Sequence, residues 1–260
     1  MKVNEYYRAS SLEDAYQKLQ KSPKNAIVGG GLWMKKMGQS YDTLIDLSKL
    51  GLDKISETKD EVIVGALTTQ RDFENSEAVN FLFAGAPAFA VREVMGVNFR
   101  NMATIGGSIM GKYPFSDVIT GLLPYDVELE FYPAQKMSLE DYLSYKGKLN
   151  AILVAIHIKK AEGKGFYKKV KTTALDFPIV NIAVAKVEGQ YRIAVGARPM
   201  VASLAKKAME YLNAGNSDFT KAAELVVEEL PFMDNKDASK EYRMDLAKVY
   251  VRRGLEEVSK

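Results

Sequence analysis

Apolar and polar positions alternate in short blocks through the first 160 residues. NAIVGGG (25–31) is an apolar run ending in three glycines, which predicts a strand running into a tight turn. TLIDLS (43–48) predicts a second strand, and EVIVGALTT (61–69) a third, with period-two alternation at its start. Residues 76–95, SEAVNFLFAGAPAFAVREVM, carry helical spacing, and Gly85 and Pro87 divide them into two short predicted helices. A short helix is expected from Ser116 and a strand over DVELEFY (126–132). Ser138, Leu139, Glu140 and Asp141 fit a capping box that opens a brief helix, and AILVAIHIK (151–159) is a β-branched apolar strand.

The texture changes at AEGKG (161–165), a polar, glycine-containing stretch that reads as a linker between two domains. Beyond it, FPIVNIAVAKVEGQYRIAVGAR (177–198) is two strands about a Glu188–Gly189 turn, the strongest hairpin in the chain. Three helical segments follow near 201–212, 217–229 and 239–258, the middle one with Ser217 or Asp218 as its N-cap. The first part therefore reads as mixed α and β, and the second as an α+β module. No internal repeat and no low-complexity segment interrupts this order.

Composition narrows the chemistry. The chain has no cysteine and one histidine, His157, which excludes iron–sulfur clusters, thiolate zinc sites, disulfides and cysteine nucleophiles within the chain itself. His157 lies inside the apolar run 151–159 and reads as a strand residue without a catalytic role. With 36 basic and 33 acidic residues the charge is nearly balanced, apart from a short cluster at Lys168, Lys169 and Lys171, so nothing demands nucleic acid. No apolar run is long enough for a membrane span, and the N-terminus turns polar where a signal peptide would be apolar; a cytoplasmic protein is expected.

Two glycine loops carry what chemistry remains. Gly106, Gly111 and Lys112 approach the spacing of a nucleotide phosphate loop, but that loop needs Ser or Thr after the lysine to reach magnesium, and Tyr113 stands there, followed by Pro114. Gly29 and Gly31 match two glycines of a Rossmann fingerprint, and Met34 occupies the third place. Taken singly, each loop reads as a turn. Together, GGG at 29–31 and TIGGS at 104–108 offer backbone N–H groups with little side-chain bulk, which suits a diphosphate. Thr104 and Ser108 add hydroxyls, Asp117 is suited to accept from ribose or ribityl hydroxyls, and Ser116 is either an N-cap or a ligand contact.

The stretch RNMATIGGSIMGKYPFSDVITGLLPYDVELEF (100–131) resembles the second flavin-binding signature of the FAD-binding subunits of molybdenum hydroxylases, the xanthine dehydrogenase and carbon monoxide dehydrogenase family. AIVGGGLWM (26–34) looks like the first signature of that family, and DFPIVNIAVA with YRIAVGARPMVASLAKKA resembles its C-terminal flavoprotein domain. The resemblance covers nearly the whole chain. It implies an α+β fold: a two-part FAD-binding domain of the PCMH/vanillyl-alcohol-oxidase-like type over 1–160, with a small lobe to about residue 55 and a larger lobe over 56–160, then a smaller α+β domain over 165–260. It also implies FAD as cofactor, and a molybdopterin-binding large subunit and a [2Fe–2S] small subunit as partners. Electrons would pass from the iron–sulfur partner through FAD to NAD or another acceptor.

Carried over by position, the diphosphate contacts fall on Val28, Gly29, Gly30, Gly31, Leu32 and Trp33, and on Ala103, Thr104, Gly107 and Ser108. Asp117, with Ser116 beside it, takes the place of a carboxylate that binds cofactor hydroxyls; Phe177 and Ile179 fall near the flavin ring, and Lys169 matches a frequent lysine. The chain departs from the family pattern at several positions. Gly31 and Leu32 replace a hydroxyl and an acidic residue, Ser108 replaces Asn, Lys112 and Tyr113 replace small residues, and Thr173 stands where a basic residue is common. Two other functions compete: a stand-alone flavin reductase or oxidase of the same fold, and a scaffold that kept the fold and lost FAD.

Overall fold

The computed structural model describes residues 1–147 and 149–260. A small N-terminal lobe is a parallel three-stranded sheet ordered β1-β3-β2, with β1 at Lys2–Arg8, β2 at Ala26–Val28 and β3 at Ser40–Asp46. Helix α1 (Leu12–Gln20) follows β1, with the Ser11 hydroxyl accepting from the Asp14 N–H; α2 (Leu32–Met37) follows β2. The pattern of apolar positions does not announce β1, whose KVNEYYR is an edge strand with mostly exposed side chains. Ile45, Leu47, Ala9, Ala15 and Ile152 form the lobe's core.

The middle of the molecule is an antiparallel sheet ordered β4-β5-β8-β6-β7. Its strands are β4 (Ile55–Glu57), β5 (Glu61–Gly65), β6 (Val127–Tyr132), β7 (Gln135–Ser138) and β8 (Ile152–Lys159). Between β5 and β6 the chain makes α3 (Gln70–Asn75), α4 (Glu77–Phe81), a 3-10 turn (Leu82–Gly85), α5 (Ala86–Arg92), α6 (Val97–Arg100), α7 (Ile105–Met110) and α8 (Asp117–Leu122). Ser138 caps α9 (Leu139–Ser144) by accepting from the Asp141 N–H, as the capping box predicts. The helical stretch 76–95 breaks into three pieces rather than two, because Phe83 and Ala84 take positive φ (50° and 58°) just before Gly85. Each left-handed residue costs roughly 1–2 kcal/mol. Burial of the Phe83 ring, stacked on Tyr125 with centroids 4.0 Å apart, offsets that cost.

The last third is an antiparallel sheet ordered β12-β11-β10-β9, covered on one side by three helices. Its strands are β9 (Gly163–Val170), β10 (Val180–Val187), β11 (Gln190–Gly196) and β12 (Ser203–Leu204). Part of the stretch that reads as a linker, Gly163 to Gly165, is the start of β9 and pairs with Val187 to Ala185. The predicted hairpin is present, with Glu188 and Gly189 both at positive φ (48° and 80°) as a two-residue turn between twisted strands requires. Helix α10 (Lys206–Asn213) begins later than the apolar pattern suggests, because Ser203 and Leu204 pair with β11. Helices α11 (Phe219–Glu229, capped by Asp218) and α12 (Lys240–Val258, capped by Ser239) complete the layer.

Strand β10 has two unlike faces. Val180, Ile182 and Val184 pack into the core beneath α10, α11 and α12, whereas Ala183, Ala185 and Val187 join the core of the middle region. Small side chains on the second face let α5 and α8 approach the sheet, and Asn181 lies on that face too. This places the Asn181 amide against the N-terminus of α8, where the site is built.

Candidate functional site

The two glycine loops meet backbone to backbone. The second loop is held against residues 66–70 by main-chain bonds: Ile105 N–H to Thr68 O (2.9 Å), Gly106 N–H to Ala66 O (2.9 Å) and Gln70 N–H to Ala103 O (2.8 Å). The first loop leaves β2 through Gly31 at φ +69°, a left-handed conformation that favours glycine, and opens α2. A Cβ on Gly30 would lie 1.8 Å from the Met102 carbonyl oxygen, so only glycine permits this approach. The Thr104 hydroxyl accepts from the Gly107 N–H (3.1 Å) as the N-cap of α7 and keeps its own proton for a further acceptor. Gly107 therefore presents a bare Cα to the cleft, with its N–H already engaged.

Three cavities open around this junction. The largest, about 960 Å³, lies between the small lobe and the middle sheet and is bordered by Gly29, Thr104, Gly107, Asn25, Tyr41 and Lys112. A second, of about 230 Å³, is walled by Gly29 to Met34 together with Ala103, Thr104, Gly107, Ser108 and Gln70. The third, of about 40 Å³, holds Ser116, Asp117, Lys169 and Phe177 in its wall. Of the candidate cofactor-binding residues, only Val28 and Ile179 border none of these spaces. Val28 closes β2 opposite Asp46, and Ile179 is spent on the sheet behind, its N–H on Val170 O (2.7 Å) and its carbonyl on the buried Arg243.

Asp117 is differently placed from a free ligand carboxylate. It is 4% exposed, and both of its oxygens are occupied: Oδ1 accepts from the Tyr167 hydroxyl (2.5 Å) and the Asn181 amide (3.0 Å), and Oδ2 from the Lys169 ammonium (2.9 Å). Burial pushes its carboxyl above the ordinary value, against the opposing pull of Lys169 and of the hydrogen bonds from Tyr167 and Asn181. Lys169 also donates to the Glu93 carbonyl (3.0 Å), so this knot ties α8, β9, β10 and the end of α5 together. Ser116 resolves as an N-cap, its hydroxyl accepting from Ile119 N–H (3.1 Å). Ser116→Ala is expected to lower stability by about 1 kcal/mol, measurable by denaturant unfolding. A loss of several times that size would mean that the hydroxyl does more than cap.

Beside the knot lies an aromatic cluster that local sequence does not reveal. Trp33 packs against Phe99, Tyr113, Phe115 and Phe177, with centroids 5.2–6.4 Å apart; Phe115 and Phe177 are 4.4 Å apart. Lys36 Nζ sits 5.0 Å above the Trp33 ring. Lys112, which sequence compares with a phosphate-loop lysine, instead donates to the carbonyls of Tyr142 (2.5 Å) and Tyr145 (3.0 Å), closing the C-terminus of α9. Burial lowers its pKa, and it lies over the Tyr142 ring at 4.2 Å. Tyr113, another departure, is an aromatic wall of the two smaller cavities. His157 stands on β8 with Nε2 2.8 Å from the Glu130 carboxylate and borders none of the three cavities. Among the described residues, no cluster of three or more His, Asp or Glu side chains is arranged to hold a metal ion, and no helix is long and apolar enough to cross a membrane.

Residues 1–159 match the FAD-binding domain in molybdopterin dehydrogenase, and residues 165–258 match the CO dehydrogenase flavoprotein C-terminal domain. The glyceraldehyde dehydrogenase medium chain of Sulfolobus acidocaldarius is 27% identical over 200 residues, which cover 71% of this chain and 70% of that one. The xanthine dehydrogenase FAD-binding subunit of Escherichia coli O157:H7 is 23% identical, covering 97% of this chain and 94% of its own length. Among solved structures, a carbon monoxide dehydrogenase from Hydrogenophaga pseudoflava that lacks the Mo-pyranopterin moiety of its cofactor superposes with a TM-score of 0.89 at 21% identity, covering 98% of this chain and 96% of that chain. Quinoline 2-oxidoreductase from Pseudomonas putida 86 gives a TM-score of 0.86 at 21% identity over 98% and 96%. The glycine loops thus stand in a fold shared end to end with oxidoreductase flavoproteins, and the chain belongs to the FAD-binding subunit family of the molybdopterin dehydrogenases.

Proposed function

We propose that this chain carries FAD as the electron-transfer subunit of a heteromeric molybdenum hydroxylase in the cytoplasm, taking electrons from a [2Fe–2S] partner and passing them to NAD or another acceptor. The observation that carries the reading is the interlock of the two glycine loops at the mouth of a cavity of about 960 Å³, within the size range of cofactor sites. The residues present fit the group. Gly29, Gly30 and Gly31 offer close main-chain approach to a diphosphate, Thr104 supplies a hydroxyl proton, and the large cavity has room for the adenosine. At the other end, Trp33 and Phe177 supply apolar faces for a ring; the cavity of about 40 Å³ behind them is water-sized, so a ring would lie across these side chains rather than beneath them.

Bound FAD supplies the redox chemistry, and the protein supplies binding, orientation and exclusion of water. This division agrees with a cleft that, among the described residues, has no free acid–base pair: Asp117 and Lys169 are paired with each other, and Lys112 is held by carbonyls. The medium-chain and FAD-binding-subunit relatives take part in glyceraldehyde and xanthine dehydrogenases, which supports partner chains carrying the molybdopterin and the iron–sulfur cluster. A cysteine-free chain cannot ligate that cluster itself.

The test is the visible absorption spectrum of the purified chain before and after addition of FAD, followed by recovery from the native source. A flavin spectrum without turnover of small substrates, and co-purification with two further chains, are expected. Failure to take up FAD would sink the flavoprotein reading, and recovery of this chain alone would sink the complex.

A further inference from the structure

The cavity of about 230 Å³, walled by both glycine loops, is bordered by no charged side chain among the described residues. A diphosphate carries negative charge and only accepts hydrogen bonds, so here it has to be met by main-chain N–H groups and uncharged donors. The first loop and the turn after it, GGGLWM (29–34), hold no hydroxyl and no charge. Three hydroxyl side chains border the space: Thr104, Ser108 and Tyr113. Thr104 keeps its proton for a further acceptor, and Ser108 donates to the Thr104 carbonyl (2.9 Å). The Tyr113 hydroxyl has no hydrogen-bond partner among the described residues, yet it is not sealed in the interior as the orphaned Tyr125 hydroxyl is.

The ring that carries this hydroxyl is held in place. It stacks on Phe115 with centroids 5.4 Å apart and 9° between the planes, and it tilts against Trp33 at 5.5 Å. Its main chain is tied as well, the Tyr113 carbonyl accepting from the Ser116 N–H (3.1 Å). The hydroxyl-bearing end lies on Gly111, where a Cβ would stand 2.5 Å from Cζ, the carbon that carries the oxygen. Gly111 borders both the 230 Å³ and the 960 Å³ cavities, as do Gly29, Thr104 and Gly107, so that end of the ring lies at the junction where the glycine loops meet. Burial, with Tyr41 adding to it, pushes the phenol above its ordinary value, which keeps it a protonated donor. Resting on the FAD reading above, we infer that the Tyr113 hydroxyl donates a hydrogen bond to the diphosphate of the bound cofactor. It supplies from the turn after α7 the side-chain donor that the first loop lacks.

The experiment compares wild type with Tyr113→Phe in the full chain, because phenylalanine removes the hydroxyl and keeps the ring on Phe115, Trp33 and Gly111. The probes are FAD, ADP, which shares the diphosphate, and adenosine, which has no phosphate. Binding is read by titration calorimetry, and the melting temperature of each unliganded protein is measured in parallel. Tyr113→Phe is expected to weaken FAD and ADP alike, about tenfold, and to leave adenosine at the wild-type value. The unliganded melting temperature should stay within about 2 °C, since the hydroxyl has no partner in the protein to lose. Unchanged FAD affinity overturns the inference. A loss for FAD without one for ADP overturns it too, because the hydroxyl would then serve the flavin half. Equal losses for all three probes, or a lowered melting temperature, would give the hydroxyl a structural role and likewise overturn it. A wild-type chain that binds ADP but not FAD defeats the underlying reading instead, and one that binds neither defeats both.

Discussion

Gly30→Ala is expected to yield a protein that no longer retains FAD. The new Cβ would stand 1.8 Å from the Met102 oxygen, 2.6 Å from its carbonyl carbon and 3.2 Å from the Ala103 Cα, all main-chain atoms with no rotamer to change. The loops at 28–33 and 102–104 must part, and the parting falls on the surface proposed to meet the diphosphate. We expect affinity for FAD to fall by at least a hundredfold, on the order of 3 kcal/mol, read from flavin absorbance after gel filtration and from titration. Gly38→Ala is the control. Gly38 has φ +67°, but a Cβ added there would meet no atom within 4 Å, so the variant should lose only the roughly 1–2 kcal/mol of a left-handed alanine and keep its flavin. Full retention of FAD by Gly30→Ala would show that the interlock is not part of the cofactor site.

Asp117→Ala should be harmful mainly to the fold. The substitution strands the Lys169 ammonium, whose side chain is 1% exposed, without its counter-ion, and breaking a buried pair from one side costs about 3–5 kcal/mol. Tyr167 and Asn181 lose their acceptor in the same step. Chemical unfolding should therefore show a large shift in midpoint even without FAD. The partner substitution has a pH signature. Burial already holds the Asp117 carboxyl above its ordinary value, and Lys169→Met removes the largest pull opposing it, so the carboxyl moves further above its unfolded-state value. The folded protein then binds the extra proton, and stability falls as pH rises between the two values. A stability profile for Lys169→Met that rises with pH over that range would contradict this account of the knot.

The glycine loops are legible in the sequence because their requirement is local: close main-chain approach and a left-handed residue demand glycine at those positions. The hairpin at 188–189 and the caps at Ser116, Ser138 and Asp218 are legible for the same reason. What cannot be read is what distant residues do to one another. Asp117 looks like a free carboxylate in the sequence because its partners lie 50, 52 and 64 positions away. Gln70, in the wall of the second cavity, carries no signal, since a glutamine after two threonines is ordinary and its side-chain partner Ser108 lies 38 residues on. Strands β1 and β7 escape the pattern because edge strands with exposed side chains have little apolar alternation to display. Lys112 draws attention through spacing alone, and its contacts place it at the end of α9.

Strand β10 has a last consequence. Its valine and isoleucine side belongs to one core and its alanine side to another, so a single ribbon of backbone serves as the common wall of two rooms. Taking away the residues beyond β8 would leave the middle region open along Ala183, Ala185 and Ala194, and would unpair Asp117 as well. The stretches that match two separate families thus share a core: the part that carries the proposed diphosphate cradle packs against a strand of the other.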